Sequence, residues 1–145
     1  MIVRHVGKAV LLVAAGIAAF VALTRWPLIN DVETGRTPEY PDLRVREFVT
    51  GDSTVAKAAR KTVERLPRWT FVGEGRGRGG IEIQAVARTR VFHFEDDVTI
   101  RIRREGGSTR LSVRSRSRVG MWDFGQNARN IQEFLRQLDQ ELFVP

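Results

Sequence analysis

An uncharged apolar run, AVLLVAAGIAAFVALT from Ala9 to Thr24, comes first in this chain. With its neighbours it gives about 20 apolar positions, or about 30 Å of helix at about 1.5 Å per residue, the thickness of a hydrocarbon core. Lys8 and Arg25 bracket the run, Trp26 suits an interface, and Pro27 stops the helix. The pattern predicts a transmembrane helix over residues 1–26. The competing reading, a cleaved signal peptide, lacks an Ala-x-Ala exit. Arg4 and Lys8, with no acid beside them, keep the short tail cytoplasmic. The expectation is therefore a single-pass inner-membrane protein whose C-terminal domain faces the periplasm.

After this run the period changes. Residues 27–42 carry three prolines among polar residues and read as an extended tether. From residue 43 to 145 the pattern is that of one α+β domain. LRVREFV (43–49) is a short strand. The helix VAKAARKTVERL (55–66) places Val55, Ala59, Val63 and Leu66 on one face, and Pro67 ends it. Period-two alternation marks strands over 68–74, 81–89, 97–104 and 109–119. Asp123 and Gln126 have capping-box spacing. Behind them Ala128, Ile131, Phe134, Leu138 and Leu142 trace an apolar stripe. The order β-α-β-β-β-β-α, with short turns, predicts an antiparallel sheet covered on one face by two helices.

The alternation also assigns the opposite face. If Ile81, Ile83, Val98, Ile100, Leu111 and Val113 meet the helices, the other side receives Glu82, Gln84, Arg88, Arg90, Asp97, Thr99, Arg101, Arg103, Arg110, Ser112, Arg114 and Arg116. Arg88, Arg90, Arg101, Arg103, Arg114 and Arg116 are the candidate anion-binding residues. Asp97 lies among them as a counter-charge. Asp96 has the opposite parity and points toward the core, where an unpaired carboxylate is costly. It needs either backbone N–H donors in a turn or a cation, for which Arg118 and Arg129 are candidates.

Charge strengthens this picture. The chain carries 24 Lys+Arg against 17 Asp+Glu, a net +7, and only Lys8, Lys57 and Lys61 are lysines. Such an excess suits anionic partners, although an arginine-rich genome gives the same composition. Known chemistries fit less well. There is no cysteine, so no thiol nucleophile and no disulfide. His93, Glu95 and Asp97 share a strand face if the strand extends that far, but they are too few for a metal site. No serine has an evident histidine base other than His93. GEGRGRGG (73–80) lacks the lysine and the following helix of a phosphate loop and reads as a flexible hairpin. The basic face lacks stacking aromatics, which argues against nucleic acid. No metal, cofactor or catalytic residue is assigned. RVGMWDFG (118–125) exposes Met121 and Trp122 between the last strand and the last helix.

The stretches ARTRVFHFEDDVTIRIR and RLSVRSRSRVGMWDFGQNARNIQEFL resemble a bacterial and plastid domain of unknown function, DUF 1499. The similarity rests on Asp96-Asp97, Arg101, Arg103, Arg114-Ser115-Arg116-Ser117-Arg118, Gly120 and Asp123-Phe124-Gly125-Gln126-Asn127, and covers about residues 44–138. One departure is that Asn130 precedes Ile131, where the family often has arginine. The resemblance implies an envelope or lumenal protein and no particular activity. Asp96, Asp97, Arg118, Asp123 and Asn127 form a second candidate cluster, structural or functional. The expected function is a membrane-anchored, non-catalytic domain whose basic sheet face meets anionic lipid or an acidic protein partner. The alternatives are an accessory subunit of a larger membrane complex and an enzyme acting on a small anionic substrate. A sheet curled around a pocket would instead make a hydrophobic ligand plausible.

Overall fold

The structure, a computed structural model, describes residues 2–143. Numbered along the chain, the elements are α1 (Ile2–Thr24), β1 (Asp31–Glu33), β2 (Arg46–Phe48), α2 (Asp52–Arg65), β3 (Trp69–Gly77), β4 (Gly80–Arg88), β5 (Glu95–Glu105), β6 (Ser108–Ser117) and α3 (Gln126–Phe143). Strict alternation makes β4, β5 and β6 the middle of the sheet. Ile81, Ile83, Ala85 and Ala87 are buried on β4, Val98, Ile100 and Ile102 on β5, and Leu111 and Val113 on β6. All pairings are antiparallel, and the sheet runs β1-β6-β5-β4-β3, with β2 also on β6.

Helices α2 and α3 cover the apolar face. Val55, Ala59 and Val63 of α2 are fully buried, as are Ile131, Phe134 and Leu138 of α3. Each such branched or aromatic side chain contributes about 1.5–3 kcal/mol relative to exposure, so this single layer of contacts is what holds the fold. Trp69 at the start of β3 stacks on Phe134, with centroids 5.9 Å apart, and joins the sheet edge to α3.

Two expectations change. Among the described residues no helix is long and apolar enough to cross a membrane. The side chains of Arg4, Val6, Ala9, Ala22 and Leu23, on which the anchor reading also drew, lie outside the described residues. The transmembrane helix, the single-pass inner-membrane placement and the periplasmic orientation are corrected accordingly. The second change concerns residues 27–42. They do not form a free tether, because β1 pairs with β6 and buries Val32 and Thr34. Thr34 Oγ1 accepts a hydrogen bond from the backbone N–H of Val113 at 3.0 Å, and Thr34 N–H donates to the Val113 carbonyl.

Candidate functional site

The sheet's outer face carries arginines in the expected parity, but most of them meet acids. Arg101 lies opposite Glu82 and binds it at 3.1 Å, with Glu33 at 3.5 Å. Arg114 forms a two-point pair with Asp31, its Nε donating at 2.8 Å. The Arg114 guanidinium holds the Asp31 carboxyl below the usual carboxylate range, against the opposing pull of burial. Arg110 reaches Glu105 at 2.8 Å and Glu47 at 3.4 Å. Arg88 binds Glu95 at 2.9 Å, and its hydrogen bond, with Arg118 nearby, lowers the Glu95 pKa. Arg118 bridges Glu95 and Asp97. Among the described residues Arg103 and Arg116 have no ion-pair partner. Arg90 leaves the face altogether and sits in the turn after β4. Asp31, Glu33 and Glu47, which neutralise this face, come from the two short strands β1 and β2. Their contribution was hidden from the pattern because β1 is too short to show a period and nothing local tells which strand the 43–49 segment joins.

Asp96 finds neither of the environments expected for it. It lies on β5 with 2% of its surface exposed, paired in register with Ala87 and Ser117. Its Oδ2 accepts a hydrogen bond from Asn130 Nδ2 at 2.9 Å, while Arg118 turns to Asp97 and Arg129 to the Phe124 carbonyl. Asn130 also donates to Ser115 Oγ, and Ser115 donates to Asn127 Oδ1 at 2.6 Å. Asn127 in turn donates to Ser117 Oγ at 2.9 Å and to the Asn30 carbonyl. The result is a buried polar ring between sheet and helix, built of neutral side chains around one carboxyl. Burial pushes the Asp96 pKa up, the hydrogen bonds from Asn130 and Ser117 oppose it, and nearby Asp123 and Asp97 add to it. Ser115 and Ser117 stand in the family motif and Asn130 departs from it. None of the three was among the candidate site residues, yet a signal exists. The serines continue the inward phase of Leu111 and Val113, and Asn127 and Asn130 interrupt the apolar stripe of α3 in phase.

Asp123 caps α3, but without the reciprocal box. Its carboxylate accepts from the N–H groups of Gly125 at 2.8 Å and Asn127 at 2.9 Å. The Gln126 side chain donates to Asn130 instead of reaching back. The cap pins the connector between β6 and α3, where Gly125 adopts φ 75° and lies against the Trp26 ring.

Above the ring opens a cleft of about 810 Å³. Asp96, Ser117, Asp123 and Gln126 form its polar part. Two aromatic pairs line its walls: Phe92 stacks on Phe94 at 5.5 Å, and Trp122 on Phe124 at 4.2 Å. The Trp122 indole N–H is buried and has no acceptor among the described residues. Arg68, Arg90, Arg129 and Arg136 line the same cleft, with Glu133 as the nearest carboxylate to Arg68, 3.9 Å away. Among the described residues three non-glycine residues have left-handed backbones: Arg68 (φ 67°), His93 (φ 56°) and Phe124 (φ 53°). Arg68 and Phe124 line the cleft, and His93 sits between two lining phenylalanines. Such conformations cost about 1–3 kcal/mol each and persist only where the surroundings impose them, as functional sites often do. His93, held in this turn, is not on a strand with Glu95 and Asp97.

A six-stranded antiparallel sheet with two helices on one face, and a cleft at the end where β5, β6 and α3 converge, defines a two-layer α+β domain. The chain belongs to the family described as Protein of unknown function (DUF1499), which matches residues 24–138. No curated protein and no solved structure matches it. The motif residues Asp96, Ser115, Ser117, Asp123 and Asn127 all lie in or beside the polar ring, whereas Arg101 and Arg114 belong to the ion-paired outer face.

Proposed function

We propose that this protein is a non-catalytic binding domain whose cleft takes an amphipathic organic anion, an acid with an aromatic or aliphatic body. The observation that carries this reading is the composition of one cavity: two stacked aromatic pairs, four guanidinium groups and a buried carboxyl in its floor. Stacked aromatics supply an apolar bed with little loss of side-chain entropy, and arginine forks fit carboxylate or phosphate oxygens. The four arginines outnumber the three carboxyls of the lining, Asp96, Asp123 and Glu133, so the cleft favours a negative ligand. The outer face supports docking of an acidic partner less well, because β1, β2 and the strand neighbours already supply its carboxylates.

The probe is 8-anilinonaphthalene-1-sulfonate, an aromatic sulfonate. Titration of the full chain should give saturable binding with one site of highest affinity. Arg68→Ala combined with Arg136→Ala should weaken that site at least tenfold, while Arg103→Ala combined with Arg116→Ala should leave it unchanged. Melting curves confirm that the variants are folded. Equal binding by both double variants would place the anion elsewhere and overturn the assignment.

A further inference from the structure

The far edge of the sheet has chemistry of its own. β3 ends the strand order and pairs only with β4, so its other side carries unpaired backbone N–H and C=O groups. After the irregularity between Phe71 and Gly73, the strand reads Gly73-Glu74-Gly75-Arg76-Gly77, and from Glu74 to Gly77 every residue is exposed. Glycine removes side chains from one face at every second position. A Cβ built at Gly73, Gly75 or Gly77 meets nothing within 4 Å. Glycine inside a strand weakens it unless another backbone must come close. The strand has no proline or lysine, the residues that natural edges use against pairing.

The charges give the register. Glu74 and Arg76 pair in β4 with Ile83 and Ile81, so both project from the same face. When an antiparallel copy is laid alongside with Gly75 opposite Gly75, Glu74 falls opposite Arg76 of the other chain and Arg76 opposite its Glu74. Gly73 then meets Gly77. The segment is thus its own charge complement under a two-fold axis, the arrangement of an isologous dimer. Arg76 also bonds Asp52 at 3.2 Å and Ser53 at 2.9 Å, yet its side chain stays 59% exposed and open to a second carboxylate.

We propose that the free edge of β3 joins a second copy of this chain, extending the sheet across a two-fold axis centred on Gly75. Opposite charges directly across an antiparallel pair stabilise it and like charges destabilise it. This proposal is independent of the cleft.

Sedimentation of the full chain over a concentration series tests it. The wild type should dimerise. Glu74→Arg alone and Arg76→Glu alone should each weaken self-association at least tenfold, since each sets like charges across the axis. An equimolar mixture of the two variants should associate again, because one strand then carries two arginines and the other two glutamates. Hydrogen exchange provides a second reading that needs no variant: amides 73–77 should gain protection as wild-type concentration rises. A monomeric wild type, a dimer indifferent to both substitutions, or a mixture that fails to recover association would each overturn the proposal.

Discussion

Asp96 shows how one side chain links fold and pH. Burial raises its folded pKa above the unfolded value of about 3.9. The folded state therefore holds the proton more tightly, and the stability this brings is complete below the unfolded pKa. It is lost as pH rises through the folded pKa. Asp96→Asn cannot ionise and still accepts from Asn130. Its melting temperature should exceed that of the wild type at about pH 8 by several degrees, and the gap should close toward about pH 4. Thermal melts across that range check the sign, and a gap independent of pH would mean that Asp96 does not titrate with folding. Gly125 offers a second test. An alanine there meets a left-handed φ of 75° and a Trp26 ring atom 2.6 Å from its Cβ. Gly106, at φ 56°, opens into free space. Both Gly→Ala changes incur backbone strain of about 1–2 kcal/mol, so Gly125→Ala should lower stability further than Gly106→Ala in urea unfolding, the excess reporting the Trp26 contact. Parity placed Asp96 inside the domain from sequence alone. Its partners were not legible, because Asn130 lies 34 positions away and comes into reach only when α3 docks.

Elements with a long period were readable, and of the two short strands β2 falls inside the strand expected at 43–49 whereas β1 was missed. The stripe of α3 and the alternation of β4 to β6 each repeat often enough to fix a face. β1 spans three residues, and Arg114, which holds its Asp31, is 83 positions away. Nothing local distinguishes such a strand from a tether. Among the contacts that attach it to β6, two side-chain ones are unequal. The Asp31–Arg114 pair is about a third exposed on both sides, and such surface pairs are worth about 0–1 kcal/mol. Thr34 is buried and satisfies a backbone N–H of β6. Thr34→Val leaves that donor unpaired, at about 1–3 kcal/mol. Thr34→Val should therefore destabilise the protein more than Asp31→Asn, measured by urea denaturation. The reverse order would mean that charge rather than hydrogen bonding fastens β1.

In the whole molecule, a net charge of +7 coexists with a sheet face that is largely neutralised, and the excess falls partly on the arginines of the cleft. A ligand held there stabilises the fold by mass action, by about 2.7 kcal/mol at a hundredfold excess over its dissociation constant. The sulfonate probe should raise the melting temperature of the wild type and do so less in the Arg68→Ala, Arg136→Ala variant. The amino-acid sequence by itself determined the strand faces, the helix that closes the domain, the inward phase of Asp96 and the family. These depend on periodicity, which neighbours along the chain carry. Tertiary structure decided which charges are cancelled, which polar groups close into a ring, and that Arg68, Phe92, Trp122 and Arg136 share one cavity. Those facts depend on distances between residues far apart in the chain, and such distances exist only once the sheet has paired and the helices have packed upon it.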